Sequence, residues 1–399
     1  MRTTDVTKRL ADLGGAKWSV HLKARELIKT GADIVEMTIG EPDVPVPDTL
    51  IEATVSSLRA ARTGYSNGHG EPGLLTAIAE RYTANRGRVF EPKNVLCFPG
   101  TQTALFAVMA GVAQTGDEVL VGDPMYATYE GVIRASGADA VPVPLRPECG
   151  FRMQAQDIAP RITSRSRAIL LTTPHNPTGA ILTEADIAEI GQLAIKHDLW
   201  IISDEVYEEL VYEGARFFSP LAMSNLADRV IAVSSISKSH AAPGFRSGWC
   251  VGPVSFCEAL LPFSETMLFG NQPFIADMTE LAIRSGSEVA PEMAERFASR
   301  ATLLAERLRA ETKLTVHRPE AGMFALINVS ATGLNGEAYA WDLLQAGVAV
   351  MPGSAFGDGL NDWVRVALTI SDAKFSTAVS RIVDHANLLT CERIRARHA

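Results

Sequence analysis

The fold is decided by residues 230–252, which read VIAVSSISKSHAAPGFRSGWCVG. Two short and mostly apolar runs, 230–234 and 248–252, flank a polar loop in this stretch. Strands that helices cover on both faces have such continuously apolar sequences, so we expect both runs to be buried strands. Lys238 lies just beyond the first of them, where an uncompensated ammonium group costs free energy and therefore indicates a special role.

Five further apolar runs of the same kind precede this stretch, with helical patterns between them. They are residues 95–98, 118–122, 138–145, 168–172 and 199–203. Strands that alternate with helices over such a length are typical of an α/β domain with a mainly parallel sheet, here of seven strands. Ligands in such sheets bind beyond the carboxyl ends of the strands, so we expect the functional side chains in the segments that follow the strands.

The rest of the chain is long enough for a second, smaller domain. The sequence has 399 residues, and chains of this length usually form two or three domains. Apolar residues recur at a helical period over 293–308, which predicts a helix that begins a domain of α+β type running to the C-terminus. The first 45 residues, rich in glycine and proline around 40–47, are predicted to form an arm and a loop.

Composition and charge exclude several classes of function. The net charge is −9, from 37 basic and 46 acidic residues, which argues against nucleic acid or a membrane surface as the main partner. No apolar stretch approaches the roughly 20 residues that span a bilayer, and the N-terminus shows no signal-peptide pattern. The five cysteines have no CxxC spacing, which predicts unpaired thiols and neither a disulfide framework nor a metal site. We therefore predict a cytoplasmic protein without a metal ion.

The segment from Ser235 to Arg246 has the residues for amine chemistry beside a phosphate. A lysine forms an imine with an aldehyde cofactor when its pKa lies below the solution value of about 10.4. Arg246 follows Lys238 in the next loop and, with the Ser235 hydroxyl, can clamp a phosphate through charge-assisted hydrogen bonds. The alternative is a serine that begins a helix, followed by two ordinary surface cations.

Two further strand ends carry polar side chains that suit a pyridine ring. Asn176, in the turn sequence PHNPTG at 174–179, can donate its amide to a ring oxygen, although a plain loop has the same composition. Asp204 can face a pyridine nitrogen and keep it protonated, which makes the ring an electron sink. Tyr207 comes shortly afterwards, within reach of the same ring. An isolated Asp–Glu pair at this position is otherwise most often a helix cap.

The ends of two more strands complete the predicted site. Gly100 precedes a helix predicted over 101–113, whose free backbone N–H groups and positive dipole end favour an anion such as a phosphate. Tyr126, in the sequence DPMYATY at 123–129, can stack on a planar ring or can simply belong to the core. A glycine before a helix is a weak signal by itself, but the order of all these motifs along the chain is specific.

In that order, the motifs resemble the class I/II aminotransferases, which are pyridoxal-5′-phosphate (PLP) enzymes of fold type I. They are GTQ at 100–102, DPMY at 123–126, NPTG at 176–179, DEVY at 204–207, SISK at 235–238 and Arg246. GEPD at 40–43 also matches the family's N-terminal substrate loop, and 65–74 matches the segment that reaches into the neighbouring subunit's site. Residues 350–357 with 363–366 match the C-terminal substrate region, so the resemblance extends over almost the whole chain.

The resemblance implies a role for each cofactor residue. Lys238 would hold PLP as a Schiff base, be displaced by the substrate amine and carry the proton between Cα and C4′ of the cofactor. Asp204 would pair with the pyridine nitrogen, while Tyr207 and Asn176 would bond the ring oxygen. Tyr126 would stack on the ring. The phosphate would be held by Gly100, Thr101, Gln102, Ser235, Ser237 and Arg246, joined by Tyr65 of the partner subunit.

The resemblance also implies the domain organisation and the assembly. A large PLP domain would comprise residues 46–290, and a small α+β domain would be formed by 1–45 together with 291–399. Because Tyr65 would act across the interface, the working unit would be a homodimer with shared active sites.

The implied reaction moves the amino group of an L-amino acid to a 2-oxo acid. It would follow a ping-pong course through an internal aldimine and pyridoxamine phosphate. Arg365 would grip the α-carboxylate of the substrate in a bidentate fork, with Asn176 and the backbone of Gly40 nearby.

The choice of amino acid depends on fewer residues. Related bacterial aspartate aminotransferases carry a lysine where this chain has Gln102, which argues against dicarboxylic substrates. The stretches WSVH at 18–21 and SKSH at 237–240 look most like the arginine–pyruvate branch of the family, so we expect arginine as donor and pyruvate as acceptor. Glu41 and Asp43 are the candidates for an acidic partner of the long basic side chain.

Other functions of the same scaffold stay open. Aspartate, aromatic or neutral amino acids are alternative donors, and a C–S β-lyase shares the cofactor motifs. A ligand-sensing regulator with an aminotransferase-like domain would carry a DNA-binding module ahead of it, and family motifs that begin by Gly40 leave no room for one. His240 can cap a helix or face the cofactor, and an amphipathic N-terminal helix explains residues 18–21 equally well.

Overall fold

A computed structural model describes residues 3–11, 13 and 15–398. Within them, the α-helices α1–α13 are, in chain order, Asp5–Arg9, Ser19–Lys29, Asp48–Arg59, Pro72–Arg86, Thr101–Val112, Tyr129–Ser136, Ala155–Ile158, Glu184–Lys196, Val254–Met267, Pro273–Ser285, Ala290–Glu311, Gly336–Gln345 and Asp372–His398. The strands β1–β13 are Val35–Glu36, Val95–Phe98, Glu118–Asp123, Asp139–Pro144, Ser166–Thr172, Trp200–Asp204, Val230–Ser235, Gly248–Val251, Thr315–His317, Phe324–Asn328, Val348–Ala349, Met351–Pro352 and Trp363–Ala367.

The central feature is a sheet of seven strands, in the order β2-β8-β7-β6-β5-β3-β4. Strand β8 runs antiparallel to β2 and β7, and the other neighbouring strands are parallel. Each strand ends within one or two residues of its predicted range. The prediction of an α/β fold with a mainly parallel seven-stranded sheet is confirmed.

Helices cover both faces of this sheet. Val95 and Cys97 of β2 belong to one buried apolar cluster, which includes residues of α4, α8 and α10. Leu96 and Phe98 of the same strand belong to another, which includes residues of α5 and α9. Because successive side chains of a strand point to opposite faces, both sets must be apolar, and this explains the unbroken apolar runs in the sequence.

A second group of elements joins N-terminal residues to the C-terminal part of the chain. Strands β12, β13, β10 and β9 form an antiparallel sheet in that order, and β1 pairs in parallel with β11. The helix predicted over 293–308 is α11, and it extends a few residues further at both ends. These elements pack around a buried cluster drawn from α2, β1, α11 and α13. The division into domains at residues 46 and 290 stays a prediction.

The expectation of an arm and a loop for the first 45 residues is wrong for α2. This helix buries Val20 and Ala24, which are four positions apart and therefore lie on one face. It begins at Ser19, in agreement with an amphipathic helix over 18–21. The glycines and prolines of 40–47 lie in irregular backbone after β1. Their presence therefore does not predict the structure of the residues before β1.

Two further findings concern the described part of the chain. None of its helices combines the length and the apolar composition needed to cross a bilayer. The same residues contain no cluster of three or more His, Cys, Asp or Glu side chains that could hold a metal ion.

Candidate active site

A cleft of about 340 Å³ opens where the carboxyl ends of β5, β6 and β7 face residues 39–41 and β13. Most of the predicted site residues line it, namely Gly40, Thr101, Gln102, Tyr126, Asn176, Asp204, Tyr207, Ser237, Lys238, Arg246 and Arg365. Gly100 lies against Arg246, and Ser235 accepts a hydrogen bond from the backbone N–H of Ser237, so both sit just behind the lining. The structure therefore brings side chains from the carboxyl ends of five strands, β2, β3, β5, β6 and β7, to one place, together with Arg246 and Arg365.

Lys238 lies in the turn that follows β7, and its side chain points into the cleft. Its Nζ donates a hydrogen bond to the carbonyl oxygen of Gly40 at 3.0 Å. Burial lowers the pKa of Lys238 to about 8, and the charges of Arg365 and Arg246 act in the same direction against that of Glu41. Roughly a tenth of this amine is therefore neutral, and so nucleophilic, at pH 7, far more than for a lysine in solution.

Asp204, the last residue of β6, is held by one donor on each carboxylate oxygen. Tyr129 Oη donates to its Oδ2 at 2.7 Å, and the backbone N–H of Val206 donates to its Oδ1 at 3.2 Å. Burial raises the pKa of Asp204 to about 6, and these two hydrogen bonds oppose the rise. Behind the phenol, Thr172 Oγ1 donates to Tyr129 Oη at 2.8 Å.

Tyr129 and Thr172 are absent from the sequence prediction. Tyr129 is the last residue of the DPMYATY stretch, in which Tyr126 was predicted as a site residue. The sequence could therefore have indicated Tyr129 as well, but an aromatic side chain at this position is equally typical of the core. Thr172 ends β5, and its Cα is in register with that of Asp204 on the neighbouring strand. Only the pairing of β5 with β6 reveals that the two residues are neighbours.

Arg365, on β13, is a buried cation packed between two aromatic rings. Its guanidinium carbon lies 3.9 Å from the ring centre of Phe324 and 4.4 Å from that of Phe356. Nη1 donates to Asn176 Oδ1 at 3.2 Å and Nη2 to the Thr38 carbonyl at 2.6 Å. Nε is buried and has no hydrogen-bond partner in the described part of the chain. Burial lowers its pKa to about 10, so it stays charged at neutral pH. A cation with an unused buried donor is suited to a carboxylate.

Asn176 connects Arg365 to Tyr207. Its Nδ2 donates to Tyr207 Oη at 3.2 Å, while its Oδ1 accepts from Arg365. The phenol of Tyr207 stays protonated because burial raises its pKa. The amide orientation is thus fixed by a donor on one side and an acceptor on the other.

The opposite end of the cleft has the features of an anion site. Gly100 has φ 87° and ψ 167°, a backbone conformation that is essentially restricted to glycine, and a Cβ there would lie 2.2 Å from Arg246 Nη2. Helix α5 begins at the next residue, Thr101, whose hydroxyl is buried without a partner. A helix N-terminus, a guanidinium and an unused hydroxyl at one place fit the phosphate group of PLP.

Comparison with known proteins settles the family. The sequence model of aminotransferase class I and II matches residues 32–382, which is most of the chain. The chain is a class I and II aminotransferase. As a member of this family it is a PLP-dependent enzyme, so the predicted family, enzyme class and cofactor are confirmed.

The aminotransferase resembles proteins with different named substrates. It is 39% identical over 383 residues to the arginine–pyruvate transaminase of Pseudomonas aeruginosa, which covers 96% of this chain and 97% of that protein. The solved structure of Thermus thermophilus aspartate aminotransferase with maleate superposes with a TM-score of 0.90 at 31% identity, covering 96% of this chain and 100% of that one. The aromatic aminotransferase of Pyrococcus horikoshii gives a TM-score of 0.86 at 28% identity, over 93% and 99% of the two chains.

Two other predicted residues of the aminotransferase lie outside the cleft. Tyr65 is 94% exposed, and its ring centre lies 5.9 Å from that of Phe269, so it takes no part in the site of its own chain. His240 is buried on the far side of the Lys238 turn, with its ring nitrogens 2.8 Å from Ser239 Oγ and 3.2 Å from the Ala282 carbonyl. Of its two open roles, facing the cofactor is therefore wrong.

The structure also separates the two acidic candidates of the substrate loop. Asp43 forms ion pairs with Arg296 at 3.0 Å and Arg300 at 2.7 Å, which makes it part of the packing of α11. Glu41 instead lines the cleft, and its charge acts on Lys238. Gln102 lines the cleft as well, and its Oε1 accepts a hydrogen bond from Thr128 at 3.0 Å.

Proposed function

We propose that this aminotransferase moves the amino group of L-arginine to pyruvate in two half-reactions of a ping-pong cycle. The observation that carries the proposal is the placement of carboxylates in the cleft. Two acidic side chains line it, Asp204 and Glu41, within the part of the chain that the structure describes. Asp204 is buried and accepts hydrogen bonds from Tyr129 and Val206, which leaves Glu41 to pair with a cationic substrate.

The α-carboxylate is proposed to bind at Arg365. The rings of Phe324 and Phe356 pack against its guanidinium, and its buried Nε has no hydrogen-bond partner among the described residues. A substrate bound there directs its side chain towards the mouth of the cleft, where Glu41 and Gln102 lie. A substrate guanidinium can donate a charge-assisted hydrogen bond to Glu41, whereas a second substrate carboxylate finds no cation at Gln102.

The cofactor residues are proposed to act as the sequence predicts. When bound, PLP supplies an aldehyde that condenses with amines and a ring that withdraws electrons. Lys238 binds it covalently and, once released by the substrate amine, moves the proton at the substrate Cα. Asp204 faces the ring nitrogen, and Tyr207 with Asn176 faces the ring oxygen.

The other end of the cofactor is proposed to lie against α5. Gly100, the first backbone N–H groups of α5, the Ser235 and Ser237 hydroxyls and Arg246 would bind the phosphate. The exposure of Tyr65 supports a homodimer, because an aromatic phenol with no site of its own is available to the neighbouring chain.

A screen of half-reactions tests the substrate. The PLP form is mixed in turn with arginine, lysine, alanine, phenylalanine, aspartate and cysteine, and the cofactor absorbance reports conversion to the amine form. Pyruvate and 2-oxoglutarate are then compared as acceptors. We expect arginine with pyruvate to give the highest kcat/KM, since losing one charge-assisted bond costs aspartate roughly 1.5–3 kcal/mol, or one to two decades.

The Glu41→Gln variant sharpens this test. It should raise KM for arginine by about tenfold or more and leave KM for alanine unchanged, because alanine has no distal cation. Glu52→Gln, a matching change of an exposed glutamate on α3, is the control and should alter neither value. A tenfold preference for aspartate over arginine would place the enzyme with the aspartate aminotransferases, and release of pyruvate and ammonia from cysteine would indicate a β-lyase.

A further inference from the structure

The hydroxyl of Tyr129 lies between two other polar side chains, and both Tyr129 and Asp204 line the cleft. It donates to Asp204 Oδ2 at 2.7 Å and accepts from Thr172 Oγ1 at 2.8 Å. All three residues are buried, with exposed fractions of 1% for Tyr129, 4% for Asp204 and 9% for Thr172. Solvent therefore competes weakly for these hydrogen bonds.

Chemistry fixes the direction of this short chain of hydrogen bonds. An ionised carboxylate only accepts, so the single phenolic proton of Tyr129 must point at Asp204. The phenol oxygen then has lone pairs free for the proton of Thr172, and donors aligned in this way polarise one another. Burial and the neighbouring charge of Asp204 raise the pKa of Tyr129 well above its ordinary value, so the phenol keeps its proton throughout the working pH range.

The fold holds the three residues rigidly. Thr172 and Asp204 are paired in register on β5 and β6, and Tyr129 is the first residue of α6, with its ring packed edge to face on Tyr126. Val206 N–H occupies the other carboxylate oxygen. With one donor on each oxygen, rotation of the Asp204 carboxylate would break a buried hydrogen bond in either direction.

We propose that Tyr129 is a positioning residue that holds Asp204 as an oriented carboxylate, with Thr172 as the donor behind it. The inference deepens the proposed function and rests on its assignment of Asp204 to the ring nitrogen. Tyr129 acts by keeping the carboxylate ionised and aimed through a hydrogen bond from a neutral donor.

The groups around Asp204 support this role for a neutral donor. Burial raises the pKa of three neighbouring phenols, those of Tyr126, Tyr129 and Tyr207, and the charge of Asp204 acts on each of them in the same direction. The cations of the cleft, Lys238, Arg246 and Arg365, act on one another and on the phenols. Burial raises the pKa of Asp204, and hydrogen bonds from Tyr129 and Val206 are what oppose the rise.

The test measures PLP affinity against pH in the Lys238→Ala background. This background removes both the titration of Lys238 and its covalent bond to PLP. The fall in PLP affinity at low pH, called the acid limb below, then reports protonation of Asp204. We expect Tyr129→Phe, which keeps the ring, to move the midpoint of that limb upward by about one pH unit, which corresponds to roughly a fivefold loss of affinity at pH 6. Thr172→Val should move it in the same direction by less, because it removes a donor one step away.

Two controls separate the possible outcomes. Tyr212→Phe removes a buried phenol that donates to the Gly322 carbonyl at 2.9 Å outside the cleft, and it should leave the profile unchanged. Asp204→Ala in the same background should abolish the acid limb; if the limb persists, the assignment of Asp204 in the proposed function has failed.

Steady-state kinetics of the single variants provide the second measurement. With Lys238 present, Tyr129→Phe should lower kcat about tenfold with KM for the amino donor unchanged, since the Tyr129 hydroxyl bonds Asp204 and Thr172, whereas the amino donor is proposed to bind at Arg365. If Asp204→Ala removes the limb while Tyr129→Phe and Thr172→Val leave both the profile and kcat as in the parent, the positioning role is overturned. A fall of kcat with an unmoved acid limb would also overturn it, because a general packing defect produces that result.

Discussion

The two ends of the cleft are built in contrasting ways. At the acid end, Asp204, Tyr129 and Thr172 are buried and hydrogen-bonded to one another. At the anion end, Gly100 and Thr101 leave a cradle with an unused hydroxyl, and the guanidinium of Arg246 is exposed. At the acid end the side chains already form hydrogen bonds with one another, whereas at the anion end hydrogen-bond donors are available to a bound anion.

This contrast shows which part of the site is prepared before any ligand arrives. Preorganised groups cost no rearrangement when charge develops near them, which suits the end that governs reactivity. Unused donors gain their hydrogen bonds only when an anion binds, so they contribute to affinity and to ligand-induced stabilisation. Substitutions at the acid end should therefore lower kcat and shift the pH dependence of PLP affinity, whereas those at the anion end should weaken PLP binding at every pH.

The largest effect is expected from Lys238→Ala, which removes the side chain that both ends serve. Transamination should stop, because the amine that binds the cofactor and the base that moves the proton are the same group. In the parent enzyme, borohydride reduction followed by mass spectrometry should find the cofactor on Lys238. Labelling of any other lysine would contradict the assignment of Lys238 as the residue that binds PLP.

Asp204→Ala tests the acid end directly. Turnover should fall by orders of magnitude, on the scale of ~3 kcal/mol or more of barrier, since an unpaired pyridine nitrogen is largely neutral and withdraws electrons poorly. PLP should remain bound through the anion end and Lys238, which absorbance after gel filtration checks. A near-normal rate would mean that another group protonates the ring.

Asp204→Asn measures what the buried carboxylate costs the fold. Its folded pKa of about 6 lies above the unfolded value of 3.8, so the folded chain binds more protons between those values, and the free energy of unfolding falls as pH rises through this window. Above pH 6 the penalty is fully present. The cofactor-free variant should therefore be more stable than the parent by about 1–3 kcal/mol at pH 7.5 in urea unfolding. Equal stability at pH 7.5 would contradict the raised pKa.

Gly100→Ala tests the anion end. The new methyl group would meet Arg246 and would occupy a backbone region that costs about 1–3 kcal/mol for other residues, so PLP affinity should fall by roughly tenfold to a hundredfold. Gly244→Ala is the matched control, because a Cβ there meets nothing within 4 Å. Turnover at saturating PLP should change little; a large loss of kcat would show that the two ends are not separable.

The smallest effect is expected from Tyr65→Phe. If its phenol bonds the phosphate bound by the other chain, PLP affinity should weaken by about 1 kcal/mol or slightly more. Light scattering should report twice the chain mass of 42.9 kDa or a higher multiple. A stable and fully active monomer would refute a shared site.

Some features of the site can be predicted from local sequence, and others depend on which strands pair in the folded sheet. Continuous apolar runs located the seven strands of the sheet, because burial on both faces leaves no other choice of side chain. Lys238 was found because an ammonium group just beyond a buried strand is unusual, and Asp204 because it follows a strand end, where ligands bind in such sheets. Thr172 was not, since its importance depends on which residue of β6 lies beside it, and register is a property of the assembled sheet.

Ion pairs between residues far apart in the sequence could not be predicted for a related reason. Asp43 follows Glu41 by two positions and carries the same charge, so the sequence offers no basis for choosing between them. The choice is made by Arg296 and Arg300 on α11, which lie more than 250 residues further along the chain and take Asp43 out of the cleft. The expected arm over the first 45 residues failed similarly, because α2 is held by packing against the C-terminal elements.

The parallel pairing of β1 with β11 limits the order in which parts of the structure can form during translation. Val35 and Glu36 pair with Val348 and Ala349, so about 310 residues must leave the ribosome before the first strand meets its partner. At 5–20 residues per second this takes about 15 to 60 s, long enough for the large sheet to form first. Residues 38–41, which follow β1 and form one wall of the cleft, therefore take their final place only near the end of translation.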